Sequence, residues 1–268
     1  MNPVKVPVGY TVERVLSPGP ATIVALARDP GGRACVIKSA AIERALPTLQ
    51  NERSVLRALA LAGVAGVPKL LDAWAEGFAL ELIAMPTLGQ LAGLVRTDRR
   101  LRGAVANRAF ARLAELHAAA DPGGVPLDVV HGDLSPDNVF VADDGSDAIL
   151  ADFGLACWRG GGPPESGAFR GTLLYAAPEV ARGDPFDGRA DSFALAASLL
   201  HVATGIALRE ESETQAVTLV NAGTRPLDAS HPWRALAPRL FNPELAEMLL
   251  ACLAFDPRDR PRETPRPC

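Results

Sequence analysis

The segment HGDLSPDN, His131 to Asn138, constrains this chain more than any other stretch of it. It sets a carboxylate, Asp133, and a carboxamide, Asn138, five positions apart on a loop, and the apolar, strand-like Val139–Val141 follows at once. Downstream, Ile149–Ala151 runs into Asp152-Phe153-Gly154, a second carboxylate at a strand end with glycine behind it. A short turn at Asp143–Ser146 can fold the two strands together and bring Asp152 back beside Asn138. Phosphoryl transfer needs such a set: one carboxylate to orient an attacking hydroxyl and accept its proton, and oxygen donors to hold a metal that neutralises phosphate charge. Asp133 suits the first role, and Asn138 and Asp152 the second. Two oxygens on rigid strand ends match Mg²⁺, which keeps several waters, with Mn²⁺ as the alternative. An HxD loop alone can be a mere polar turn; its spacing to Asp152 makes the chemical reading specific.

Upstream, Lys38 ends the apolar run Ala34–Ile37, so its ammonium is expected at a strand edge facing a cleft. Glu52, in the helical segment LQNERSVLRAL, is the expected counter-ion, and the pair would aim the lysine at a nucleotide's phosphates. Around these residues the first eighty positions alternate β-like runs with turn formers: Tyr10–Leu16, Ile23–Ala27, Ala34–Lys38, Leu70–Trp74 and Phe78–Ile83. A helix is expected over Thr48–Leu61, where apolar residues recur at helical spacing. From Thr87 onward the pattern is helical, with Leu88–Val95, Gly103–Ala119, Asp191–Thr204 and Pro243–Ala254 as its clearest members. The reading is therefore α+β and bilobal, an antiparallel sheet with one main helix (about 10–84) joined at Ala84–Pro86 to a mainly helical lobe (about 85–262). Residues 263–268 form a short polar tail. The Gly/Pro-rich stretch from Cys157 to Gly171 can bury little.

Charge and cysteines close off other classes. A net charge of −4 offers no general attraction to nucleic acid or to an anionic membrane surface. Four scattered cysteines fit reduced thiols and a cytoplasmic setting better than a disulfide framework. The most apolar run, Phe193–Leu208, is broken by Ser198, His201 and Thr204 and reads as a buried core helix, not a membrane span. The first twenty residues lack the basic start and apolar run of a signal peptide. His117 is expected to be a packed or capping histidine, Cys157 a passive small residue, and Trp74, Trp158 and Trp233 core or loop anchors.

The ordered set CVIK, NERSVL, HGDLSPDN, DFG, GTLLYAAPE, ADSFALAASLL and DPRDRP resembles the eukaryotic-like serine/threonine protein kinases of bacteria, over Tyr10 to Pro261. The resemblance implies a protein kinase domain at 10–262 that moves phosphate from ATP to a serine or threonine hydroxyl of a protein. It implies that Glu179 pairs with Arg260, that Asp191 holds the backbone of the catalytic loop, and that Thr172 touches the catalytic aspartate. Leu80 falls at the gatekeeper, Glu81 and Ile83 at the adenine-binding hinge, and Val24, Val36, Ala151 and Phe140 at the apolar walls of the nucleotide site.

The chain also departs from the family's pattern. Aligned on GxGxxGxV, Leu16–Val24 keeps only Gly19 and Val24, with Ser17 and Thr22 where outer glycines stand. The lysine usual two residues after the catalytic aspartate is Ser135, and the Leu-Ser pair makes the loop similar to that of the atypical RIO kinases. The arginine usual before that aspartate is Gly132, so phosphorylation at Ser166 or Thr172 is not expected to be required. Two other readings remain open, a pseudokinase that binds nucleotide or acts as a scaffold, and a small-molecule kinase. Joint presence of Lys38, Asp133, Asn138 and Asp152 speaks against the first, and the APE segment against the second.

Overall fold

The computed structural model describes residues 4–162, 172–209 and 227–261. Its first layer is a five-stranded antiparallel sheet of β1 (Thr11–Pro18), β2 (Thr22–Arg28), β3 (Ala34–Ala40), β4 (Leu70–Trp74) and β5 (Gly77–Glu81), in the order β1-β2-β3-β5-β4. Period-two alternation gives each inner strand two faces. Ala27, Cys35, Ile37 and Ala79 point outward and are covered by Val4, Val6, Tyr10, Leu71 and Trp74. Val36 and Lys38 alternate with Cys35 and Ile37 along β3, and α1 (Leu46–Leu61) lies against β3, β4 and β5. That helix buries Leu49, Val55, Leu56 and Leu59 at the expected spacing, and begins two residues before Thr48 because Pro47 suits a first turn that needs no amide donor.

After β5 come α2 (Ala92–Thr97), α3 (Arg99–His117), the hairpin of β6 (Val139–Val141) and β7 (Ala148–Leu150), α4 (Pro178–Arg182), α5 (Gly188–Thr204), α6 (Trp233–Leu240) and α7 (Pro243–Cys252). The bilobal α+β reading holds. One apolar core joins the layers: Leu56 and Phe78 above, Leu134 and Phe153 between, and Phe110 and Leu195 below belong to a single cluster. As expected for the apolar run, α5 is buried on nearly every side, from Ala190 to Ala203. Among the described residues no helix is long and apolar enough to cross a membrane.

Several element ends differ from expectation by a few residues, and three of them have plain local reasons. β5 stops at Glu81, not Ile83, where the Glu81 amide donates to Lys69 O and pairing ends. Residues 88–90 are not helical: Leu88 N–H donates to Val139 O at 2.7 Å and Gly89 N–H to Pro136 O at 3.0 Å, so this backbone is spent on the segment Pro136–Val139 and helix starts only at Ala92. Conversely α3 starts at Arg99, four residues before the expected Gly103. Asp98 caps it by accepting from the Arg100 and Leu101 amides, and the charged first turn conceals the onset. The short α4 and α6, which follows Pro232 and holds Pro238 within it, carried no periodic signal long enough to read.

Candidate active site

The site is assembled at the meeting of β3, α1 and the two loops that flank the β6–β7 hairpin. Lys38, near the end of β3, places its Nζ 2.7 Å from Glu52 Oε1 on α1 and 2.9 Å from Asp152 Oδ1. Lys38 and Glu52 are buried, whereas the Asp152 side chain is 50% exposed. Burial works against the ammonium, but Glu52 and Asp152 outweigh it and hold the Lys38 pKa above the ordinary lysine value. The Lys38 charge in turn keeps Asp152 below the usual carboxylate range. Burial raises the Glu52 carboxyl, with Lys38 opposing the rise. Asp152 sits at φ 69°, a left-handed conformation uncommon for a non-glycine residue, at the entry to the short 3-10 segment Phe153–Leu155.

Asp191, buried in the first turn of α5, fixes the start of the loop His131–Asn138. Its carboxylate accepts from the His131 amide at 2.7 Å and the Gly132 amide at 2.9 Å, and stands 2.9 Å from His117 Nε2. His117 is thus packed structurally, against Gly188 as well. Gly132 has φ 81°, and a Cβ there would stand 2.8 Å from Leu155 O, so the backbone itself requires glycine. Asp133 then presents Oδ1 to the Thr172 amide at 2.8 Å, and Asn138 Nδ2 donates to Asp133 O at 2.7 Å with Oδ2 at 3.4 Å. Burial raises the Asp133 pKa, with the Thr172 amide pulling the other way. Ala151 N–H donates to Asn138 O at 2.8 Å, which is how the hairpin returns Asp152 to the vicinity of Asn138.

The remaining expected positions fall on elements around this centre. Gly19 lies in the β1–β2 turn, where a Cβ would press on Thr22 O at 2.6 Å, so the one glycine kept is the one the turn needs; Thr22 opens β2 opposite Ala40. Val24 pairs with Lys38, and Val36 with Leu80. Phe140 pairs with Ile149 and bridges to Thr87, below the sheet. Glu81 is exposed at the end of β5, its carboxylate 3.3 Å from Lys69, and Ile83 is half-buried just beyond. Ser135 is buried and offers no charge. Glu179 and Arg260 form a buried double contact at 2.6 and 2.9 Å, with the guanidinium 4.8 Å from the Phe193 ring centroid. Ser166 lies outside the described residues, as do the tail 263–268 and most of the Gly/Pro-rich stretch.

Sequence reading missed several contributors. The His131 ring packs 4.6 Å from Phe153 and its Nε2 lies 3.0 Å from Ala151 O, joining the two loops. Arg209 Nη1 donates to Leu173 O at 2.6 Å, and Tyr175 Oη lies 2.7 Å from His201 Nδ1. Asn51, directly before Glu52, reaches the backbone after Asp152. Only His131 carried a signal, its place in HGD; the others are single polar residues in helices or loops.

Asn138 turns its nitrogen to Asp133, which directs its oxygen elsewhere, and Asp152 is open to solvent on one side. Two such oxygens fit a cation that retains water, and among the described residues no group of three or more His, Cys, Asp or Glu gathers as a tighter metal nest.

Comparison with known proteins finds a family model and several relatives. A family model described as "Protein kinase domain" matches residues 10–264. Tyrosine-protein kinase MasK of Myxococcus xanthus is 37% identical over 145 residues, 54% of this chain and 22% of the relative. Serine/threonine-protein kinase PknF of Mycobacterium tuberculosis is 35% identical over 140 residues, 49% of this chain and 28% of the relative. Serine/threonine-protein kinase PknJ of the same organism is 34% identical over 206 residues, 74% of this chain and 34% of the relative. The aligned stretch is therefore at most about a third of the length of these relatives.

Proposed function

Since the chain belongs to the protein kinase family, we propose that it transfers the γ-phosphoryl group of ATP, with Mg²⁺ bound, to a serine or threonine hydroxyl of a protein substrate. The observation that carries this reading is the placement of Asp133. Its carboxylate is fixed from two sides, by the Thr172 amide and by Asn138, and its pKa is raised by burial, as suits a group that accepts a proton. In this reading Asp133 orients the hydroxyl and takes its proton as the new P–O bond forms and the bond to ADP breaks. Lys38, held by Glu52, positions the nucleotide phosphates. Gly19, Val24, Val36 and Phe140 line the nucleotide, and the backbone at Glu81 and Ile83 receives the adenine edge. Asn138 and Asp152 would hold the metal, which supplies charge neutralisation for the phosphates when bound.

The choice of acceptor rests on Thr172, which contacts Asp133, and on the relatives named as serine/threonine kinases; MasK, named as a tyrosine kinase, marks the rival. The domain bounds of 10–262 and a cytoplasmic setting belong to the same proposal. Partial hydrolysis of a basic protein labelled by the purified chain with γ-labelled ATP tests the acceptor. Phosphoserine and phosphothreonine are expected, and label in phosphotyrosine alone overturns it. A pseudokinase reading has two observations in its favour, the Ser17 and Thr22 that stand at the outer glycine positions and the uncharged Ser135 two residues after Asp133, and predicts nucleotide binding without any transfer.

A further inference from the structure

Asn51 lies one position before Glu52 on α1 and is only 8% exposed. A buried asparagine inside a helix has poor helix propensity and a desolvation cost, so its retention in the fold needs a tertiary partner. The partner is the backbone immediately after Asp152: Nδ2 donates to Ala156 O at 2.8 Å and stands 3.5 Å from Gly154 O. The approach is close throughout, since a Cβ at Gly154 would lie 3.1 Å from Thr48 Cγ2, also on α1. One residue further on, Cys157 exchanges backbone hydrogen bonds of 2.9 and 2.8 Å with Val130, the residue leading into His131. The stretch 154–157 is thereby held on one side by α1 and on the other by the catalytic loop.

Gly132 offers no cation to hold a phosphate on the segment that follows, and Leu155 O leaves no room for a larger residue there without movement. Beyond the Lys38–Asp152 pair, the bonds described above that hold Gly154–Cys157 are uncharged. We propose that Asn51 is a positioning residue that locks α1 to Gly154–Ala156, so that Lys38, Glu52 and Asp152 stay assembled with no phosphate on the chain. The inference rests on the kinase reading for its rate effects, but the lock itself is a structural claim. Asn51 acts through Glu52 and Asp152 and touches no reacting atom.

The test compares Asn51→Ala, Asn51→Asp and Asn51→Gln with wild type, all phosphatase-treated. Rates, melting midpoints and amide hydrogen exchange are measured for each. Aspartate keeps the shape but points an acceptor at two carbonyls, whereas glutamine keeps the donor. Expected are a fall in kcat of about tenfold or more for the Ala and Asp variants, faster exchange confined to residues 153–157 and α1, and recovery of most of both in the Gln variant. Ala and Asp variants with wild-type kcat and unchanged local exchange would overturn the proposal. So would exchange that rises evenly over the whole chain with a matching drop in melting midpoint, since that pattern marks a general packing role. If wild type transfers no phosphate at all, the kinase reading fails while the exchange pattern still decides the lock.

Discussion

At the scale of single residues, Asp133 is the group whose chemistry and stability pull in opposite directions. Its folded pKa lies above the unfolded value because burial penalises the carboxylate. The native state therefore holds the proton more tightly, and this site favours folding at low pH and loses that contribution as pH rises through the folded pKa. Asp133→Asn is expected to reduce kcat by about 10²–10⁴-fold, the range for removing a general base, without lowering the melting midpoint at neutral pH. A clear loss of thermal stability would contradict the burial account. The same shift sets the sign of the pH profile: protonation inactivates the base, so the acid limb of kcat/KM should be displaced upward from the ordinary aspartate value, read by initial rates at saturating metal. Lys38, Glu52, Asp133, Asn138 and Asp152 were all legible in the sequence because each stands in a short motif whose spacing matters to the chemistry. Asn51 was not, because its role comes from a tertiary contact across more than a hundred residues that no local pattern records.

At the scale of elements, α4, α5 and the segment around Arg260 are tied together by one buried ion pair. Arg260 is fully buried, binds Glu179 through both oxygens, donates to Ala254 O at 2.7 Å and packs over Phe193 of α5. Removing one partner leaves the other charge buried and unpaired, which costs roughly 3–5 kcal/mol. Arg260→Ala should shift the urea midpoint accordingly; a change below about 1 kcal/mol would show that the pair is not isolated from water. The strands and long helices were readable from periodicity, and β4 matched to the residue. Misplaced ends trace to side-chain caps and to backbone engaged elsewhere. Asp98 starts α3 early, and the pairing of Leu88 and Gly89 with the catalytic loop delays α2, neither being visible as hydrophobic spacing.

For the molecule as a whole, the claim is that both lobes meet in an already assembled site: Lys38 joined to Glu52 and Asp152 from above, and Asp133 held by Thr172, Asn138 and the Asp191-bound loop from below. Treatment with phosphatase should accordingly leave the rate unchanged within about twofold, well under the tenfold that 1.4 kcal/mol represents; a collapse in rate would show that a phosphate completes the site. The most direct measurement is a time course of label transfer from γ-labelled ATP and Mg²⁺ to a generic basic protein, run with wild type and with Asp133→Asn at matched folding. Steady incorporation by wild type and none above background by the variant is the predicted result. Equal incorporation by both, or nucleotide binding with no transfer by either, would contradict the assignment of Asp133 as the carboxylate that takes the substrate's proton.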